Sequence, residues 1–164
     1  MSGKSEPRTG PMIGHVHLKV ADLDRAVEFY RLLGFDVTQR YGTQAAFMGA
    51  DGYHHHIGLN TWHSAGAAPA PSGHAGLYHL AVLYPDRVSL AQALRRVVQA
   101  GVQLDGAADH GVSEALYFRD PDGNGVEIYV DRPRQHWPRD AAGGLKMGNA
   151  RLDVSALLAL ADTA

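Results

Sequence analysis

His15 stands seven residues before Asp22, and His79 stands seven residues before Asp86. Each histidine opens a short strand-like run, residues 16–20 in one case and 80–83 in the other. Later in each half an Asp-Gly pair is followed, four residues on, by another ionisable side chain. Asp51-Gly52 leads to His56, and Asp122-Gly123 leads to Glu127. A unit written twice therefore offers one ionisable group at the start of its first strand and another on its last. Neutral imidazoles and a carboxylate are the donors of a divalent metal site. Two of the former and one of the latter on one side of a metal leave adjacent positions open, the arrangement suited to iron(II) and oxygen.

A lone histidine on a strand is usually a hydrogen-bonded structural residue, and the repeated spacing is what lifts His15, His79 and Glu127 above that reading. A glutamate on a sheet interior is costly unless paired or bound to metal. His54 and His55 fit ordinary turn or strand residues as well as a site, and His63, His74 and His136 read as solvated.

These groups need elements to position them. Val16, Leu18 and Val20 alternate with His15, His17 and Lys19, as in a half-buried strand. Asp22 can cap a helix whose apolar positions Leu23, Ala26, Val27, Tyr30 and Leu33 follow the helical period, with Gly34 as its stop. Strands are expected over residues 35–40, 44–49 and 54–62. The second half opens with a strand over 77–84, then a helix started by a Ser89/Gln92 capping box and ended at Gly101. Strands over 102–104, 114–119 and 125–130 complete it. The fold class expected is α+β, two paired βαβββ modules forming a cupped mixed sheet, with a C-terminal tail helix over 155–162 capped by Asp153 or Ser155. The divisions expected are a disordered leader (1–11), a domain over 12–133 with modules 12–64 and 76–133 joined by an Ala/Pro/Gly-rich linker (65–75), and a tail (134–164). Strand alternation places His15, His56, His79, Tyr117 and Glu127 on the helix-free face.

Composition narrows the function classes. A chain of 164 residues suffices for one domain with a sizeable core. The net charge is −2 and no basic stripe appears, which argues against nucleic acid as a partner. There is no cysteine, so disulfides, thiolate ligands and a cysteine nucleophile are excluded together. No signal segment or bilayer-length apolar run appears, so no membrane partner is expected and a cytoplasmic location is the default.

Residues 14–20 (Gly-His-Val-His-Leu-Lys-Val), the turn Asp120-Pro121-Asp122-Gly123-Asn124-Gly125 and Glu127 resemble the vicinal oxygen chelate superfamily of glyoxalase I, bleomycin-resistance proteins and extradiol dioxygenases. The resemblance covers residues 13–133. Residues 53–62 and 109–117, with 131–133 and 137–140, are similar to its catechol 2,3-dioxygenase-like branch. The resemblance implies a metal on His15, His79 and Glu127, an acid/base histidine at His56 with His55 as the fallback, Tyr117 hydrogen-bonded to a substrate oxygen, and His110 as a further active-site histidine. The implied metal is Fe(II), with Mn(II), Ni(II) or Zn(II) as alternatives. The implied reactants are an aromatic diol and O2. Extradiol enzymes commonly carry two such module pairs and this chain has one, so a homodimer is expected to supply what one pair lacks. Two other readings follow from the resemblance: an enediolate-type isomerase or lyase that needs no oxygen, and a binding protein that sequesters a small molecule without turnover. A glyoxalase I would carry a fourth carboxylate ligand at the His56 position, and histidine there counts against that chemistry.

Overall fold

Asp22 and Asp86 act alike in the two halves. Each has extended backbone, and each side chain accepts a hydrogen bond from the N–H three residues on, that of Arg25 and that of Ser89. Helices α1 (Leu23–Leu32) and α2 (Arg87–Gln99) start directly after them. The second start therefore differs from the expected Ser89/Gln92 box. The Asp86 carboxylate takes the cap, and Ser89 lies inside the first turn as its donor. Gly34 ends α1 in the left-handed region, at φ 96°, and its N–H reaches back to the Arg31 carbonyl.

The computed structural model describes residues 10–162, so residues 1–9 of the expected leader lie outside it. In the first module β1 (Val16–Lys19), β2 (Asp36–Tyr41), β3 (Ala45–Gly49) and β4 (Ile57–Asn60) form a sheet in the order β1-β4-β3-β2. In the second, β5 (His79–Tyr84), β6 (Leu104–Asp109), β7 (Ser113–Arg119), β8 (Gly125–Asp131) and β9 (Ala150–Arg151) run in the order β5-β8-β7-β6-β9. The first and last strands of each βαβββ unit pair in parallel and the rest are antiparallel, so both sheets are mixed. The fold class is the α+β arrangement that the repeat implied.

Two strands depart most from the expected bounds, and a further strand was not expected. β4 is shorter than residues 54–62, because residues 54–56 form a connection held by the Thr38 hydroxyl, which donates to the His54 carbonyl at 2.6 Å. β6 runs to Asp109 rather than stopping at Leu104, being paired by β7 on one side and by β9 on the other. β9 itself is two residues of exposed tail with no apolar alternation to announce it.

One core underlies both modules. Leu18, Val20, Met48, Ile57 and Leu59 from the first sheet and Leu80, Leu116, Phe118, Val126 and Ile128 from the second join the inner faces of both helices. Burying large apolar side chains on this scale is the main stabilisation of the domain. Helix α3 (Val154–Ala159), capped by Asp153, adds the fully buried Leu157 to the same core, so the tail is part of the packed domain. The turn after β7 ties the halves together. Asp120, only 5% exposed, accepts the Tyr30 hydroxyl at 2.9 Å as well as the N–H groups of Asp122 and Asn124. Asp122 in turn accepts the Ala21 N–H and pairs with Arg25.

Candidate metal and substrate site

With the apolar residues of each strand turned to the helices, the other face of the second sheet carries His79, Ala81, Tyr117, Glu127 and Tyr129. His79 Nε2 lies 2.9 Å from Glu127 Oε2. The pair can stand so close because Gly125, the register partner of His79, has no side chain. A Cβ there would fall 2.2 Å from the Tyr78 carbonyl oxygen and 2.9 Å from the His79 Cβ. Tyr117 faces Glu127 across β7 and β8, with its hydroxyl 3.5 Å from Glu127 Oε1. Burial first, and then the Glu127 charge, hold the Tyr117 phenol above its ordinary range. The same hydroxyl is 2.7 Å from His110 Nε2. A cavity of about 460 Å³ opens over this set, lined by Tyr78, His79, His110, Tyr117, Arg119 and Asn149 among others. That is the volume range of pockets for small organic ligands.

The pair suits a divalent cation. Two donors each about 2.1 Å from such an ion and at right angles about it lie about 3.0 Å apart, close to the spacing seen here. An imidazole nitrogen and a carboxylate oxygen are also the donor types such an ion takes. The third expected ligand is placed elsewhere. Among the described residues no three His, Asp or Glu side chains gather into one metal-sized cluster. His15, exposed at the entry to β1, stacks instead on His55, with ring centroids 4.5 Å apart.

Register shows how the modules correspond. His17 pairs with Gly58 and Ala81 with Glu127, while Phe47 faces Gly58 and Tyr117 faces Glu127. His15 is thus the counterpart of His79, as the spacing implied. The counterpart of Glu127 is Gly58, not His56, because the connection before β4 displaces the Asp-Gly count by two residues. β1, β3 and β4 contain no carboxylate at all. The first module instead presents rings: His17 packs on bare Gly58 between Phe47 and Trp62, and His55 lies against Phe47 and His15.

His56 is turned away from this face. Its ring lies 5.8 Å from the core residue Phe35 and 4.6 Å from Tyr53, and the Ala50 N–H points at its Nδ1 at 3.4 Å. The helix-free face carries the fallback, His55, whose Nδ1 meets that of His54 at 2.7 Å. His63, His74 and His136 are exposed.

The signal that the sequence analysis missed is the support behind His110. Arg132 lies 2.7 Å from Asp109 and 3.0 Å from the buried Glu114, and Arg87 pairs with Glu114 as well. The two arginines flank the β6–β7 hairpin that carries His110. Asp109 also accepts the Gly111 N–H, which with Arg132 holds its carboxyl below the ordinary value. Asp109, Glu114, Arg87 and Arg132 lie too far apart in the chain for any local pattern to show that they meet.

Two repeated βαβββ units around one core, with an imidazole–carboxylate pair on the helix-free face of the second, define a duplicated α+β fold. The chain belongs to the Glyoxalase/Bleomycin resistance protein/Dioxygenase superfamily, whose model matches residues 12–128. It is 43% identical over 147 residues to a catechol-2,3-dioxygenase of Bacillus subtilis (strain 168), covering 89% of this chain and 50% of that one. It is 29% identical to biphenyl-2,3-diol 1,2-dioxygenase 3 of Rhodococcus globerulus, over 74% of this chain and 64% of that one. The chain thus spans about half the length of the first relative and under two thirds of the second. Among solved structures, a glyoxylase/bleomycin resistance protein/dioxygenase domain from Frankia sp. EAN1pec superposes with a TM-score of 0.62 at 24% identity, over 76% of this chain and all of that one. No helix among the described residues is long and apolar enough to cross a membrane.

Proposed function

We propose that this protein is a metal-dependent extradiol ring-cleaving dioxygenase acting on a catechol-type diol with O2, its metal held by His79 and Glu127, with His15, which packs on His55 here, drawn in as the third ligand. The observation that carries the reading is the His79–Glu127 pair, set at coordination spacing beside the Tyr117–His110 pair, with His79, Tyr117 and His110 lining a cavity of about 460 Å³. The relatives named for diol dioxygenase activity support the same reaction class. The absence of a second carboxylate from β1, β3 and β4 favours a site of two imidazoles and one carboxylate over one with two carboxylates.

His79, Glu127 and His15 would hold the metal, and iron(II) bound there would supply Lewis-acid and redox chemistry toward the diol and O2. The residues of the chain do the rest. Tyr117 holds the diol oxygen nearest Glu127, and His110 behind it receives or returns the hydroxyl proton through Nε2. His55, on the face with His15 and Phe47, is better placed than His56 to exchange a proton with a substrate on that side. Phe47, His17 and Trp62 form an aromatic wall against which a ring can pack. The exposed Trp62, Tyr78 and Leu83 suit a second copy of the chain covering part of the assembly, and light scattering at a dimer mass is the expected result.

Anaerobic loading with iron(II), followed by a panel of catechols, tests the reading through oxygen uptake. Uptake with a yellow ring-fission product is expected. An iron-loaded protein that consumes no oxygen with any diol would overturn it and turn attention to enediolate chemistry, which proceeds under nitrogen.

A further inference from the structure

The tail returns to the site after leaving the second sheet. Residues 137–148 loop outward, tied by the Pro138 carbonyl to the Lys146 N–H, and come back as β9 on the edge of β6. Just before β9, Gly148 makes two contacts with one residue. Its N–H donates to the His110 carbonyl at 2.9 Å, and its carbonyl oxygen lies 2.9 Å from His110 Nδ1. Asn149, next in the chain, lines the cavity.

A carbonyl oxygen has no hydrogen to give, so the contact at Nδ1 requires that nitrogen to carry the proton. In a neutral ring Nε2 is then bare and is an acceptor. The group 2.7 Å from Nε2 is the Tyr117 hydroxyl, whose single hydrogen is also within reach of Glu127 Oε1 at the longer 3.5 Å. With His110 in this tautomer, Tyr117 donates to His110 and leaves the Glu127 carboxylate free for other partners.

We propose that the tail segment before β9 is a positioning strap for the pocket: Gly148 fixes the orientation and the Nδ1–H tautomer of His110, and through it the direction of the Tyr117 hydroxyl. Gly148 is a positioning residue and touches no substrate in this account. The tautomer follows from geometry alone, whereas its use in ring cleavage rests on the proposed dioxygenase reading.

The test is nitrogen NMR of the full chain labelled with 15N-histidine, the His110 signals being assigned by their loss in His110→Gln. In the wild type, Nδ1 is expected in the protonated range and Nε2 in the unprotonated range; the opposite pattern overturns the proposal without any strap variant. Gly148→Pro removes the N–H that grips the His110 carbonyl and is expected to convert the ring to mixed tautomers. Gly148→Ala keeps both backbone groups, its Cβ meets nothing within 4 Å, and the wild-type shifts are expected to persist. An unchanged spectrum in a folded Gly148→Pro protein overturns the strap. If ring cleavage is found, Gly148→Pro lowers kcat by about tenfold with little change in KM, and adds nothing in a Tyr117→Phe background. Full additivity of the two overturns the coupling. Should ring cleavage not be found, the nitrogen spectra still decide the strap.

Discussion

The two modules share a backbone plan and differ in what they hang on it. At matching register the second module has His79, Glu127, Ala81 and Tyr117, and the first has His15, Gly58, His17 and Phe47. The second is a polar site whose carboxylate, 13% exposed, faces the His79 imidazole, with arginines and the tail supporting the neighbouring hairpin. The first has no carboxylate there; an imidazole fills the space over Gly58, with aromatic rings around it. The two frames match in register, and the side chains at matched positions make one face polar and the other aromatic.

The sharpest way to break this division is through the metal. Glu127→Gln should weaken divalent-cation binding by at least about a hundredfold in calorimetry, more than the loss of a residue that merely orients a ligand. His15→Ala should weaken it by a smaller factor, since a neutral donor is removed. Equal affinity in wild type and His15→Ala would leave the first module without a ligand role.

The matched glycines come next. Gly125→Ala drives a Cβ into the Tyr78 backbone and should destabilise the protein by about 3 kcal/mol in denaturant unfolding. Gly58→Ala meets only the movable His17 ring, at 2.8 Å, and should cost about 1 kcal/mol. A reversed order would mean that the first module is the more rigid one. The joint between the modules is tested by Tyr30→Phe, which takes one donor from the buried Asp120 and should cost about 1.5 kcal/mol while unfolding stays a single transition. Two separated transitions would show that the turn, rather than the shared core, couples the halves.

Acid sensitivity should also divide between the modules, with smaller effects. Burial and then His15 lower the His17 imidazole below its ordinary 6.5, and burial with the surrounding imidazoles lowers that of His55. A group with a lowered folded pKa binds fewer protons folded than unfolded. The stability it contributes is therefore present above pH 6.5 and is lost as the pH falls through the folded value. Asp109 in the second module, held below its ordinary 3.8, loses its contribution only as the pH falls under that value. A thermal-shift series should thus show a first decline below pH 6.5 that His17→Phe reduces, and a second below pH 4 that Asp109→Asn reduces. A single decline unaffected by His17→Phe would remove the first module from the explanation.

Much of this was readable along the chain because it is local. Strand alternation, the cap at Asp22 and the stop at Gly34 depend on neighbours within a few residues, so the βαβββ plan followed from spacing. The His56 assignment failed to carry over for the opposite reason. A count from Asp51-Gly52 assumes equal turns, and the connection over residues 54–56 has its own hydrogen bonds, which put His55 on the face and His56 beside Phe35. β9 could not be foreseen, because two exposed residues pair only where an edge strand is waiting for them.

The sequence by itself determined the duplicated α+β plan, the donor types and their separate strands, since residue type and periodicity suffice for these. Tertiary structure alone decided which groups meet: that His79 reaches Glu127 over Gly125, that Gly58 stands where a second carboxylate would, and that Gly148 grips His110 from 38 residues away. Contacts at 2.7–2.9 Å between distant residues depend on register, turn geometry and packing together, and no local pattern in the chain encodes their sum.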